Sequence, residues 1–241
     1  MTQDPLEAPD AGENRGGRRR LSRTRLLQGA AFATTVAILL IAPGVITRLT
    51  QDPYERAAEE TGRALFDLPG FEERFGDVAE EDAFDVGAQL GLAAIPRLPD
   101  GELAEYLAIT RQLLAGLEAD VCADILRGTA DPGALIEAFR TLELDAYRRY
   151  LELVTQGAGL VLSGPPPPEL RQEEVDEALR RLSEELGAAR IGEIGGAFLD
   201  PATTDSDLCA AAHDLYRALE AVGPATARPL LRDLIAPSPS T

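Results

Sequence analysis

Cys122 and Cys209 are the only thiols in the chain, and His213 is its only histidine. On a helix read over residues 204–222, Leu208, Leu215, Leu219 and Val222 define a core face, and Cys209, His213, Tyr216 and Glu220 run beside it at spacings of four, three and four. Cys209 and His213 are then one turn apart, the spacing of two ligands to a zinc ion or of a thiolate–imidazole pair. Zinc would need two more ligands, which only Cys122 or a carboxylate could supply. A catalytic thiol would also have to stay reduced. Two cysteines 87 residues apart are natural partners for a single bridge in an oxidising compartment. A disulfide between Cys122 and Cys209 is therefore expected, and its loop closure stabilises by ~4–5 kcal/mol in the chain-entropy account. His213 reads as a helix-edge residue beside that bridge.

No other constellation selects itself. Residues 51–241 hold 37 acidic side chains, and nothing distinguishes the pair that a glycosidase would place across a cleft. The run DPATTDSD at 200–207 lacks the glycine and the closing glutamate of a calcium loop, so it reads as a loop ending in a helix cap. No phosphate-cradling glycine loop, HExxH or GxSxG occurs. No catalytic, cofactor-binding or metal-ligating residue is assigned, and no cofactor is expected.

The elements that would position these residues follow from charge and periodicity. Every one of the 23 basic residues is Arg, a composition that, with its abundant Ala, Gly and Pro, goes with GC-rich bacterial coding. Residues 1–50 carry 7 Arg and 4 acids, while residues 51–241 carry 16 Arg and 37 acids, a net of −21. A surface so acidic is repelled by phosphate backbones, which excludes nucleic acid as its partner. Residues 1–25 read as a disordered, basic tail. Residues 26–47, LLQGAAFATTVAILLIAPGVIT, are 22 positions without a charge. As a helix they would reach ~33 Å, the thickness of a hydrocarbon core. Arg15, Arg18, Arg19, Arg20, Arg23 and Arg25 precede them, whereas only Arg48 and Arg56 follow closely, which sets the N-terminus in the cytoplasm and the rest outside. A cleaved signal peptide fits less well, since the stretch is long for such a peptide and no small-x-small cleavage site follows. Gly29, Ala33 and Ala37 form a small-residue stripe through which two such anchors could associate.

Beyond the anchor the pattern is helical throughout, with no sustained period-two alternation. Helices are expected over 53–66, 80–95, from Asp100 through Leu117, 119–126, from Pro132 to about Leu142, 143–162 (loosened by Gly157 and Gly159), 169–186, 204–222 and 224–235. FEERFGDV at 71–78 reads as a connector and IGEIGG at 191–196 as a flexible turn. Gly164 and the prolines 165–168 read as a polyproline hinge between a first part, 52–163, and a second, 169–236, ahead of the tail 237–241. Setting Asp100 on Asp205 also aligns Leu103 with Leu208, Leu114 with Leu219, Leu126 with Leu231 and Arg127 with Arg232, a weak internal duplication of a helical hairpin.

The sequence therefore reads as an all-α protein: one N-terminal transmembrane helix, then an extracytoplasmic multi-helix bundle built of hairpins. Its expected place is the bacterial plasma membrane, single-pass with the N-terminus cytoplasmic. Its expected work is non-catalytic, binding or scaffolding a protein partner in the envelope. The alternative is an anchored or secreted enzyme, or a metal-binding protein, using Cys209 and His213.

Overall fold

A computed structural model describes residues 52–76, 83–130 and 132–235, and these are all-helical, with no strand among them. The expected anchor at 26–47, its stripe of Gly29, Ala33 and Ala37, and the two tails lie outside the described residues. Among the described residues no helix is long and apolar enough to cross a membrane.

Helix α1, Pro53–Phe66, starts where the Asp52 carboxylate accepts hydrogen bonds from the backbone N–H of Tyr54 (2.8 Å) and Glu55 (3.3 Å), with proline at the first helical position. The expected connector at 71–78 contains a one-turn helix, α2, Phe71–Phe75. Phe71 is buried there, 5.0 Å from the Phe66 ring and 5.1 Å from Phe75, so aromatic packing holds a turn that propensity alone would not. Helix α3, Ala83–Ala94, runs into a 3₁₀ turn at Ile95–Arg97, where Pro96 cannot continue the α pattern.

Two hairpins follow the same plan. Helices α4, Asp100–Ala115, and α5, Ala119–Arg127, make the first, and α5 stops at Gly128. After α6, Pro132–Phe139, the long helix α7 spans Leu144–Ser163 without a break, although its glycines predict loosening. Gly157 instead permits close approach: a Cβ there would sit 2.6 Å from the Ala94 carbonyl oxygen of α3. Helix α8, Gln172–Leu186, begins three residues later than its pattern predicts, once the chain has left the prolines. The second hairpin is α10, Asp205–Val222, and α11, Pro224–Ile235.

The flexible turn expected at 191–196 is overturned, because those residues lie inside helix α9, Ala188–Leu199. Ile194 is fully buried, and Ile191 and Phe198, three back and four on, pack against the same core. Arg190 pairs with Asp214 of α10 at 2.7 Å. Tertiary packing thus outweighs the ~1 kcal/mol that each helical glycine costs.

One apolar core runs through both parts of the chain, from Leu65, Leu107 and Phe139 to Leu182, Leu215 and Leu230. Helix α7 packs on α1 and α3, and α10 packs on α4, α5 and α9. Each part also holds the proline segment: Arg97 of the first donates to the carbonyl oxygens of Leu160 (2.9 Å) and Pro165, and Arg232 of the second donates to that of Pro168. Residues 165–168 are exposed, and each residue from 164 to 167 precedes a proline, which confines it to extended geometry.

Candidate functional site

The corner where α5 meets α10 holds the residues with the greatest reactive potential. Cys122 is fully buried on α5 and Cys209 half-buried on α10. The two are joined by a disulfide with their Cα atoms 5.7 Å apart across 87 residues of chain. Just above it, Arg127 of α5 bonds the Asp205 carboxylate at 2.5 Å and the Thr203 carbonyl at 2.9 Å. Thr204 caps α10, accepting from the Asp207 N–H at 3.2 Å, so the acidic run at 200–207 ends in a helix cap.

His213 lies one turn along α10 from Cys209, and the bonded sulfur is not available to it as a thiolate. A sulfur shared with Cys122 can neither attack a substrate nor ligate zinc without first being reduced. Among the described residues no group of three or more His, Cys, Asp or Glu is placed to hold a metal ion. The other members of the line are also engaged: Tyr216 is fully buried, and Glu220 pairs with Arg111 of α4.

The buried tyrosines form a cluster that periodicity alone does not reveal. Tyr54 stacks on Tyr147 at 5.4 Å, Phe139 bridges Tyr147 (5.0 Å) and Tyr150 (5.1 Å), and Tyr150 stacks on Tyr106 at 5.4 Å. Burial pushes the hydroxyls of Tyr150 and Tyr216 well above the ordinary phenol range. Burial and the nearby Asp52 charge do the same for Tyr147. Held protonated and away from solvent, these phenols are core side chains rather than general bases.

A groove of 590 Å³ opens on the surface between α1 and α7. Ala57, Thr61 and Ala64 of α1 face it across from Leu151, Thr155 and Gly159 of α7, with Leu68 closing one end. The Thr61 hydroxyl donates to the Ala57 carbonyl at 2.8 Å and that of Thr155 to the Leu151 carbonyl at 2.9 Å, so both donors are spent within their own helices. Glu60, Arg148, Glu152 and Gln156 stand exposed around it. The small residues at 57, 61 and 64 carry the helical spacing that could have marked this face in the sequence, but nothing there distinguishes an open stripe from a covered one.

Comparison with known protein families, curated proteins and solved structures finds no match.

Proposed function

We propose that this chain is a single-pass bacterial envelope protein, held by residues 26–47 with its N-terminus in the cytoplasm. Its acidic helical domain then stands outside the plasma membrane, where it binds or scaffolds a protein partner without catalysis. The observation that carries the reading is the Cys122–Cys209 bridge between α5 and α10, since such bonds persist in oxidising compartments and are rare in the reducing cytosol. It agrees with the arginine asymmetry around the uncharged 22-residue stretch. The non-catalytic part is supported by the bonded state of Cys209, which lies one helical turn from the only histidine of the sequence.

Alkaline phosphatase, which is active only outside the cytoplasm, is fused to the C-terminus as the test. The expected result is phosphatase activity in a protein that stays with the membrane fraction until detergent is added. Intact full-length protein in the aqueous fraction without detergent, or an inactive fusion, would overturn the reading.

A further inference from the structure

We infer that the groove between α1 and α7 is a docking site for a basic amphipathic helix of a partner protein. This deepens the partner-binding reading above and rests on it. Two neighbouring helices present small and aliphatic residues at three- and four-residue spacing along about three turns, roughly 16 Å at the helical rise. A floor of Ala57, Ala64 and Gly159 lets a third backbone approach closely, the ridge-into-groove geometry of helix packing. A small molecule fits this site poorly. The groove is open, its two threonine hydroxyls already donate within their own helices, and its charged side chains stand exposed around it.

Charge decides which helix it takes. Glu60 has no ion-pair partner among the described residues, and Glu152 has only the exposed contact from Arg149 at 3.1 Å. Arg148, one turn before Glu152, has a loose 3.8 Å contact to Asp145, whose side chain is 97% exposed. The complementary helix therefore carries an apolar face flanked by cations opposite Glu60 and Glu152, with an acid within a turn to meet Arg148. A second copy of this chain does not supply such a face from α8, whose exposed Glu173, Asp176 and Glu185 would meet like charges and whose arginines are engaged by its own acids, Arg171 by Glu174, Arg180 by Glu177 and Glu184, and Arg181 by Glu177.

The test uses the full chain in detergent and a fluorescein-labelled helical peptide with alanine and leucine on one face and arginines flanking it. A charge-reversed twin carries glutamates in place of the arginines. Anisotropy is expected to show binding of the basic peptide and none of the twin. Ala64→Phe, which fills the floor, weakens binding at least tenfold, and the pair Glu60→Gln/Glu152→Gln weakens it several-fold at the surface, where folding is not at stake. The α8 pair Glu184→Gln/Glu185→Gln leaves it unchanged. Binding untouched by both groove variants, equal binding of the twin, or an equal loss from the α8 pair would sink the proposal. Because the measurement is made in detergent, it does not depend on topology. An inactive phosphatase fusion with intact groove binding removes the envelope location alone, and the converse removes the groove alone.

Discussion

The two hairpins clasp each other's leading ends by the same device, but only one of the two corners is also covalent. Arg127, at the end of α5, reaches Asp205 at the start of α10 and the carbonyl of Thr203 two residues before it. Arg228, on α11, reaches Asp100 at the start of α4 and the carbonyl of Leu98 two residues before it, at 2.6 Å, together with that of Pro96 at 2.7 Å. The second arginine has three acceptors and a side chain 24% exposed, while the first has two and is 35% exposed. The bridge lies at the corner with the weaker arginine. The corner without a bridge also lacks a side-chain cap, since Pro99 precedes α4 where Thr204 precedes α10. A covalent staple and a half-buried guanidinium with three acceptors thus serve as alternative means of fixing one hairpin on the other.

The largest effect on this comparison comes from removing the staple. Cys122→Ala with Cys209→Ala is expected to cost ~4 kcal/mol or somewhat less, because the bond closes a loop of 87 residues in the unfolded chain. Denaturant unfolding of the full chain in detergent, followed by circular dichroism, would measure it. A loss below ~1 kcal/mol would mean that the α5–α10 corner holds without its bridge.

Next come the arginines themselves. Arg228→Ala leaves two backbone carbonyls and a carboxylate without their donor, at an expected cost of about 2 kcal/mol. Arg127→Ala, more exposed and backed by the disulfide, costs ~0.5–1 kcal/mol. In the cysteine-free background the Arg127→Ala cost should rise, a coupling that the double-mutant cycle reads directly. Equal costs for the two arginines in the bridged protein would erase the proposed division of labour between the corners.

A third clasp of the same kind extends the comparison to α1. Arg140 bonds Asp52 at 2.5 Å and lies over the Tyr54 ring at 5.7 Å. Burial pushes the Asp52 carboxyl up, but the Tyr54 N–H, the Arg140 guanidinium and the Glu55 N–H together hold it below its ordinary value of 3.8. A carboxyl depressed in the folded state contributes stability that is present above pH 3.8 and lost as pH falls through the lower folded value. Asp52→Asn keeps a capping side chain but drops the charge, so it should cost ~0.5–1 kcal/mol near pH 7. That difference should close as the pH falls through this window. A pH-independent difference would mean that the charge on Asp52 contributes nothing.

The parts of this arrangement differ in how far the sequence betrays them. The all-helical character and most helix limits are legible because apolar spacing agrees with the Pro and Gly boundaries, Pro53 at a start and Pro96 and Gly128 at stops. The apparent duplication pairs Arg127 with Arg232, yet the arginine answering Arg127 is Arg228, one turn earlier, while Arg232 goes to Pro168. Among 16 arginines and 37 acids in residues 51–241, spacing does not name long-range partners. The groove between α1 and α7 is hidden for a related reason: whether a small-residue stripe is covered depends on what packs over it, and local pattern says nothing of that.

Helix α9 shows how local propensity misleads, and it supports the smallest prediction. Gly192 and Gly196 lie exposed inside the helix, and a Cβ built at either would meet nothing within 4 Å. Their glycines therefore add no close packing, and each should cost the helix ~0.5–1 kcal/mol relative to alanine. Gly192→Ala is expected to stabilise the chain by about that much. Gly187, in equally open space just before the helix, has φ +84°, a backbone conformation that alanine adopts only with strain. Gly187→Ala should therefore destabilise by ~1 kcal/mol. Open space is common to both sites and only the backbone differs, so opposite signs in the two unfolding curves would separate helix propensity from conformational need. Equal signs would mean that residues 188–199 do not hold the helix on which Arg190 reaches Asp214.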